Sequence, residues 1–283
     1  RVYAELRDAA ALGWHIPTGV VADFEAVMAR MRRIRARLSQ NDSASRYRDE
    51  KGVDVFFGSA RFTSETTLDV AGATIRFKKA LIATGARPAR LLIPGLAETG
   101  YLTNETVFNL TARPNRLAVI GGGPVGSELA QAFCRLGSQV TLLEASDQVL
   151  VREDPDAAAI VQAAMGRDGV KVFVKCAIER FERQNAGKVI HFTCGGPREV
   201  TVDEILVGTG RTPNTDGLGL DMAGVNYSSE GIIVDDALRT SNSRIYAAGD
   251  ICMDWKFTHA AEDAARIAVQ NALFLGRRRL SVL

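Results

Sequence analysis

An α/β fold with two similarly built parallel-sheet domains is predicted for this 283-residue chain by three observations. From Leu117 onward, apolar strand-like runs alternate with helix-patterned runs, the order a parallel sheet requires when each crossover is a helix. One strand-to-helix junction, "LAVIGGGPVGSELAQAF" at 117–133, carries closely spaced glycines. Two distant stretches, "ALIATGARP" at 80–88 and "ILVGTGRTP" at 205–213, share an apolar strand, Thr-Gly, a short link and Pro, so two strands end alike.

Taken in order, residues 1–12, "RVYAELRDAAAL", are Ala-rich and helix-prone until "GWHIPTG" breaks the pattern. A longer helix is expected from about Asp23, because Phe24, Val27, Met31, Ile34 and Leu38 step by three and four into one apolar stripe. Arg30, Arg32, Arg33, Arg35 and Arg37 occupy its other face, which reads as a solvated basic surface. Strands are expected in "VDVFFGSARF", "TLDVAG" and "TIRFKKALIATG", followed by the Pro-containing "RPARLLIPGL". Then come the strand "LAVIG", a helix over Pro124–Leu136 and the strand "QVTLLE". The helix in "DPDAAAIVQAAMGRDG" has Asp154 placed to cap it and Pro155 in its first turn. After "VKVFV", short strands at "IERFER", "KVIHFT", "REVTV" and "EILVGTG" add a small antiparallel β element.

Composition removes several function classes. A formal net charge of +2 gives no global pull towards nucleic acid or an anionic membrane, and the arginine-rich helix lacks the interleaved aromatics of a nucleic-acid surface. No apolar run approaches the ~18 residues a membrane helix needs. Four widely spaced cysteines (Cys134, Cys176, Cys194 and Cys252) form no CxxC or CxxxxC pair, and there are only three histidines. Reduced thiols in a cytoplasmic protein, with no metal site, are expected.

Gly121, Gly123 and Gly126 fit G-x-G-x-x-G between a strand and a helix. The first glycine permits the tight turn, the second lets backbone approach a pyrophosphate, and the third allows close helix–strand packing. The helix start, with its free N–H groups and positive dipole end, meets the negative charge. Glu144 ends the next strand, where this motif places a carboxylate for the adenosine ribose. That carboxylate would repel a 2′-phosphate, so NADH is expected over NADPH; Arg152 in the following loop reads either as a surface arginine or as a cation that would soften the preference. Glu128 lies in the first turns of the same helix, and spacing alone does not choose between a dipole-complementing carboxylate and a ligand contact.

The ordered set "IATGARP", "VIGGGPVGSELAQAF", "VGTGRTPNTDGLGL" and "TSNSRIYAAGDI" resembles the flavoprotein pyridine nucleotide–disulphide oxidoreductases across essentially the whole chain. The long helix before "GVDVFFGSARF", with "REDPD" and "FTHAAEDAARIAVQNALF", is most similar to mercuric-reductase-like members. The resemblance implies two Rossmann-like nucleotide-binding domains: a first part of an FAD domain at 1–113, an NAD(P) domain at 114–236 inserted into it, and a returning FAD segment at 237–283. It implies that Gly121, Gly122, Gly123, Pro124, Val125, Gly126 and Glu128 surround the NADH pyrophosphate and nicotinamide, with Glu144 on the ribose and Gly210 lining the same cleft. Thr84 and Gly85 would sit near the flavin domain's nucleotide and Ala60 near the FAD adenine. Asp250 would accept from the ribityl chain, with backbone at His259 and Ala260 facing the flavin ring.

In that family a first glycine loop for FAD, a CxxxxC disulphide and a dimerisation domain are also present, and this sequence holds none of them. The chain therefore reads as the middle of a longer enzyme, an inactive fragment with no catalytic residue of its own that binds FAD poorly alone. Hydride would pass from NADH to FAD and on to a disulphide and an acceptor, either a mercuric ion or a small disulphide or dithiol, in a homodimer. The alternatives are a flavin NADH oxidase or quinone reductase without a redox disulphide, and a non-catalytic NADH-binding module.

Overall fold

The structure, a computed structural model, describes residues 2–15, 17, 19–274, 276 and 278–280. The chain divides into two compact units, residues 1–41 with 88–210 and residues 42–87 with 211–283. It is mixed α/β throughout. Among the described residues, no helix is long and apolar enough to cross a membrane.

The first unit is layered around a four-stranded parallel sheet in the order Glu204–Val207, Arg116–Ile120, Gln139–Leu143, Lys171–Phe173. Its second strand is buried on both faces, which is why it reads as an unbroken apolar run rather than an alternating one. Leu117 and Val119 point to one side, against Ala130 and Phe133 of the helix Pro124–Arg135 and Met165 of the helix Pro155–Asp168. Ala118 and Ile120 point to the other, against Phe181, Ile190, Phe192 and Val202. Those four belong to an antiparallel sheet of Ala177–Gln184, Gly187–Thr193 and Pro197–Val202, the expected small antiparallel element. The fourth short run, "EILV", instead edges the parallel sheet.

Local signals set the helix starts. The Asp154 side chain accepts from the Asp156 N–H at 2.9 Å, with Pro155 at the first position of the helix. Asp23 does the same for Ala26, also at 2.9 Å, ahead of the helix Phe24–Asn41.

The expected apolar stripe on that helix holds at Phe24 and Met31, which pack on the first unit's core, and is corrected at its other three positions. Val27, Ile34 and Leu38 are exposed, whereas Met28 is buried beside Phe24, whose ring lies 5.9 Å from that of Phe133. Further along, Arg32 donates to the Leu110 carbonyl at 3.1 Å and the Arg35 guanidinium lies over the Phe108 ring. The contact face thus runs Phe24, Met28, Met31, Arg32 and Arg35, at helical spacing but rotated away from Val27, Ile34 and Leu38. Part of the face expected to be solvated is therefore docked, because long arginine stems cover apolar surface while their heads find acceptors.

The second unit contains a three-stranded antiparallel sheet, Ala60–Ser64, Thr67–Val70 and Ala73–Arg76. The strand expected over 53–62 begins only at Ala60, and Phe56 and Phe57 ahead of it are exposed. Ala80–Ile82 pairs in parallel with Ile245–Ala247, and Ala86–Pro88 pairs with Arg211–Pro213. Ile245 and Ala247 pack on Phe62, Ile82, Ile232 and Ile251, while Tyr246 and Ala248 pack on Ala264 and Ala268 of the helix Thr258–Leu273.

Candidate functional site

In the first unit the chain leaves the strand Arg116–Ile120 through Gly121, whose N–H donates to the Leu143 carbonyl at 2.9 Å. Gly121 has φ +98°, and a side chain there would meet the Gly208 carbonyl at 2.8 Å. Gly126 is more constrained. A Cβ would stand 2.0 Å from the Gly121 carbonyl oxygen, so only glycine lets the helix start lie against the strand end. Gly123 is the opposite case, with nothing within 4 Å of where its side chain would be. The loop is closed at its back and open at its front.

Gly123 is extended, gives no side-chain cap to the helix Pro124–Arg135, and is followed by Pro124, which has no N–H to satisfy. Backbone N–H groups at an uncapped helix start, with the positive end of the helix dipole, make an anion site. The loop is fixed before any ligand arrives. The Ser127 hydroxyl donates to the Gly122 carbonyl at 3.0 Å, and the Leu150 N–H donates to the same oxygen at 2.8 Å.

Glu144 is tied to this loop directly. Gly122 N–H donates to its Oε2 at 2.5 Å and Ser146 N–H to its Oε1 at 2.7 Å. An ionised carboxylate offers about four acceptor positions, so these two bonds leave capacity for vicinal hydroxyls. Closed glycine contacts, an open helix start and an oriented carboxylate fit a dinucleotide.

The structure thus brings Gly121, Gly122, Gly123, Pro124, Val125, Gly126 and Glu144 together in one unit. Val125 is exposed at the helix start, and Glu128 is exposed one turn further along. Gly210 is also in this unit and exposed, but the glycine that backs the loop is Gly208, whose carbonyl stands 2.8 Å from where a Gly121 side chain would be. Sequence reasoning passed over Gly208, Ser127, Ser146 and Leu150. Gly208 lay inside the quoted "VGTG", whereas nothing local marked Leu150, which reaches Gly122 from a separate loop.

The remaining expected positions all lie in the second unit. Thr84–Gly85 and Gly249–Asp250 follow neighbouring parallel strands, with Ala248 N–H donating to the Ile82 carbonyl at 3.1 Å. In open α/β sheets, ligands bind outside such carboxyl ends. Asp250, with a side chain 12% exposed, is paired with Arg211 at 2.5 Å, and Arg211 also donates to the Ala86 carbonyl at 2.8 Å. Asn214 clasps the same corner, its side-chain amide donating to the Thr84 carbonyl at 2.9 Å and its backbone N–H to that of Gly85 at 3.0 Å. His259, at the start of the helix Thr258–Leu273, stacks on Phe257 with centroids 5.6 Å apart, and both are exposed. Ala260 is half-buried, and Ala60 is exposed at the start of its strand. These residues fit one wall of a flavin cofactor site. Neither Arg211 nor Asn214 was singled out from sequence, although both lie within the quoted "VGTGRTPNTDGLGL".

A protein-family profile described as pyridine nucleotide-disulphide oxidoreductase matches residues 12–265. The chain is 40% identical over 227 residues to a mercuric reductase of Lysinibacillus sphaericus, covering 80% of this chain and 42% of that protein. It is 32% identical over 276 residues to a dihydrolipoyl dehydrogenase of Bacillus subtilis, covering 96% of this chain and 60% of that protein. The solved Cu(II) complex of the HOCl-induced flavoprotein disulfide reductase RclA from Escherichia coli superposes with a TM-score of 0.84 at 29% identity, covering 98% of this chain and 62% of that one. The chain therefore spans about two fifths to three fifths of the length of these relatives.

Proposed function

This chain belongs to the pyridine nucleotide-disulphide oxidoreductase family, and on that premise we propose that it is the nucleotide-handling part of an NADH-dependent flavoprotein oxidoreductase. The family uses FAD and a pyridine nucleotide. In the proposed arrangement the backbone from Gly121 to Gly126 and the start of the helix Pro124–Arg135 hold the pyrophosphate, and Glu144 accepts from the adenosine ribose hydroxyls. Glu128 stands one turn along the helix, on the side assigned to the nicotinamide. Asp250, oriented by Arg211, together with Thr84, Gly85, Ala60 and the backbone at His259 and Ala260, forms part of the FAD contact. When bound, the flavin supplies the hydride acceptor, and this chain's own work is binding and orientation.

The observation that carries the reading is the Glu144 carboxylate held by the Gly122 and Ser146 N–H groups at the edge of an uncapped helix start. The same carboxylate favours NADH, since a 2′-phosphate would approach a negative charge. The proposed electron acceptor of the whole enzyme is a mercuric ion or a small disulphide, supported by the similarity to mercuric reductases and to dihydrolipoyl dehydrogenase. A cytoplasmic homodimer is proposed for the whole enzyme.

Titrating the folded polypeptide with NADH and with NADPH, followed by nicotinamide fluorescence, tests the reading. Saturable NADH binding, weaker for NADPH, is expected. A folded sample that takes up neither nucleotide overturns it. Flavin absorbance in the purified polypeptide measures how far the second unit's partial wall suffices on its own.

A further inference from the structure

Cys176 and Cys194 occupy facing positions in the first unit. The antiparallel register of Ala177–Gln184 and Gly187–Thr193 ends with Ala177 opposite Thr193, and one further step sets Cys176 opposite Cys194. Their backbones do not bond to each other. Cys176 N–H donates to the Glu144 carbonyl at 3.0 Å and Cys194 N–H to that of Gly196 at 2.9 Å. Facing residues of this non-bonded kind have Cα atoms about 4.5 Å apart, inside the span of a disulfide.

The side chains converge as well. Both thiols donate to one acceptor, the Val174 carbonyl, at 3.4 Å from Cys176 and 3.3 Å from Cys194, which holds the two sulfurs on the same oxygen. Lys175, at φ +56°, makes the sharp corner between Val174 and Cys176.

The two sulfurs have different surroundings. Cys176 is buried among Phe173, Ile178 and Phe192, and Cys194 is half-exposed. Burial first, and then the neighbouring Cys194 thiol, pushes the Cys176 thiol up to about 12. Arg198 stacks over Phe173 and donates to the Cys194 carbonyl at 3.0 Å, placing a cation beside the accessible member. Cys134 and Cys252 each donate elsewhere, to Asp168 and Gly249, and have no cysteine beside them.

We propose that Cys176 and Cys194 are a reversible dithiol–disulfide couple, oxidised by hydroperoxides, that modulates the nucleotide site. The Cys194 sulfur attacks a peroxide oxygen and the O–O bond breaks, giving Cys194 sulfenic acid and one water from hydrogen peroxide. The Cys176 sulfur then attacks the Cys194 sulfur, the S–O bond breaks, and the departing hydroxide takes the Cys176 proton as a second water. Two thiols lose two electrons and two protons in all, and a dithiol reductant returns them. The link to the loop is short, since Cys176 N–H bonds the Glu144 carbonyl and the Glu144 carboxylate bonds Gly122 N–H. This effect on NADH rests on the nucleotide reading above, whereas the disulfide does not.

The test treats the whole chain with a few equivalents of hydrogen peroxide, alkylates the remaining thiols and maps the peptides by mass. The expected product is a cross-linked peptide pair joining Cys176 to Cys194, about 2 Da lighter than the reduced pair and reopened by dithiothreitol. In Cys176→Ser, Cys194 is expected to stall as a sulfenic acid that dimedone traps, and in Cys194→Ser, Cys176 is expected to stay alkylatable. Wild-type protein that instead carries sulfinic acid on Cys194 with Cys176 still alkylated, or cross-links only through Cys134 or Cys252, overturns the couple. NADH is expected to bind several-fold more weakly to the oxidised form. Equal affinities overturn the coupling alone, and no binding to either form overturns the nucleotide reading rather than the disulfide.

Discussion

The strands Arg116–Ile120 and Ile245–Ala247 are both buried along their apolar positions, yet the chain uses their ends differently. After Ile120 it turns at once through the glycine loop into a helix, and the next strand brings back Glu144, so most of the first unit's candidate site is gathered from one contiguous βαβ segment. After Ala247 comes Gly249–Asp250, and the other candidate contacts of the second unit come from Ala60, Thr84, Gly85, His259 and Ala260, far apart in the chain. A site built from consecutive residues is held by its own turn geometry and short-range bonds. A site built from distant residues depends on how well the whole unit packs. The two units should therefore fail in different ways.

The largest expected separation comes from Gly126→Val against Ile245→Ala. In the first unit a Cβ at Gly126 meets backbone at 2.0 Å, so NADH affinity should fall on the order of 100-fold or more, read by nucleotide titration. In the second unit, removing the fully buried Ile245 side chain should cost about 2–5 kcal/mol in denaturant unfolding while leaving NADH affinity essentially unchanged. Loss of nucleotide binding in Ile245→Ala would break the contrast.

Glu144→Gln comes next. A neutral amide cannot accept from Gly122 and Ser146 N–H groups with both arms and loses the charge, so NADH affinity should drop about tenfold, with less discrimination against NADPH. Comparing both nucleotides by titration checks it, and an unchanged ratio would remove Glu144 from the specificity argument.

Arg211→Met leaves the largely buried Asp250 carboxylate without its cation. Because the guanidinium is itself about a third exposed, the expected cost to the second unit is only about 1–2 kcal/mol, again with NADH affinity unaffected. Asp250→Asn combined with Arg211→Met should lose less than the sum of the two, a double-mutant cycle read by urea melts.

The smallest effects are on pH dependence. Hydrogen bonding from the Arg116 guanidinium holds Asp203 in the first unit below the ordinary carboxylate range. Burial raises Asp235 in the second unit, but the Arg239 and Ala237 N–H groups and the Arg239 side chain outweigh it and leave it lowered. A folded-state pKa below the unfolded value means stabilisation that is complete above about pH 4 and lost as pH falls through the depressed value. Asp203→Asn should flatten the acid limb of the first unit's stability, and Asp235→Asn that of the second. Acid melts with one probe in each unit distinguish them, and both substitutions acting on the same probe would contradict separate units.

Family, α/β class and the main motif were legible in the sequence because their signals are local. The glycine spacing reports sterics between residues five apart, and Asp154 with Pro155 reports the geometry of one helical turn. The apolar run at Leu117–Ile120 reports burial on both faces of a strand. Periodicity also announced the helix Phe24–Asn41, but not which of its faces is docked. That depended on where Phe133 and the Leu110 carbonyl lie, and neither is encoded in the helix itself.

What tertiary structure alone decided is which groups meet across long stretches of chain. The Glu144 carboxylate on Gly122, Arg211 on Asp250, Asn214 on Thr84 and Cys176 facing Cys194 each follow from strand order and register. Sequence fixes a residue's character and its near neighbours through short-range sterics. A partner across a sheet is set by register, and a slip of one residue turns every side chain to the opposite face, so such pairs become known only once the strands are laid side by side.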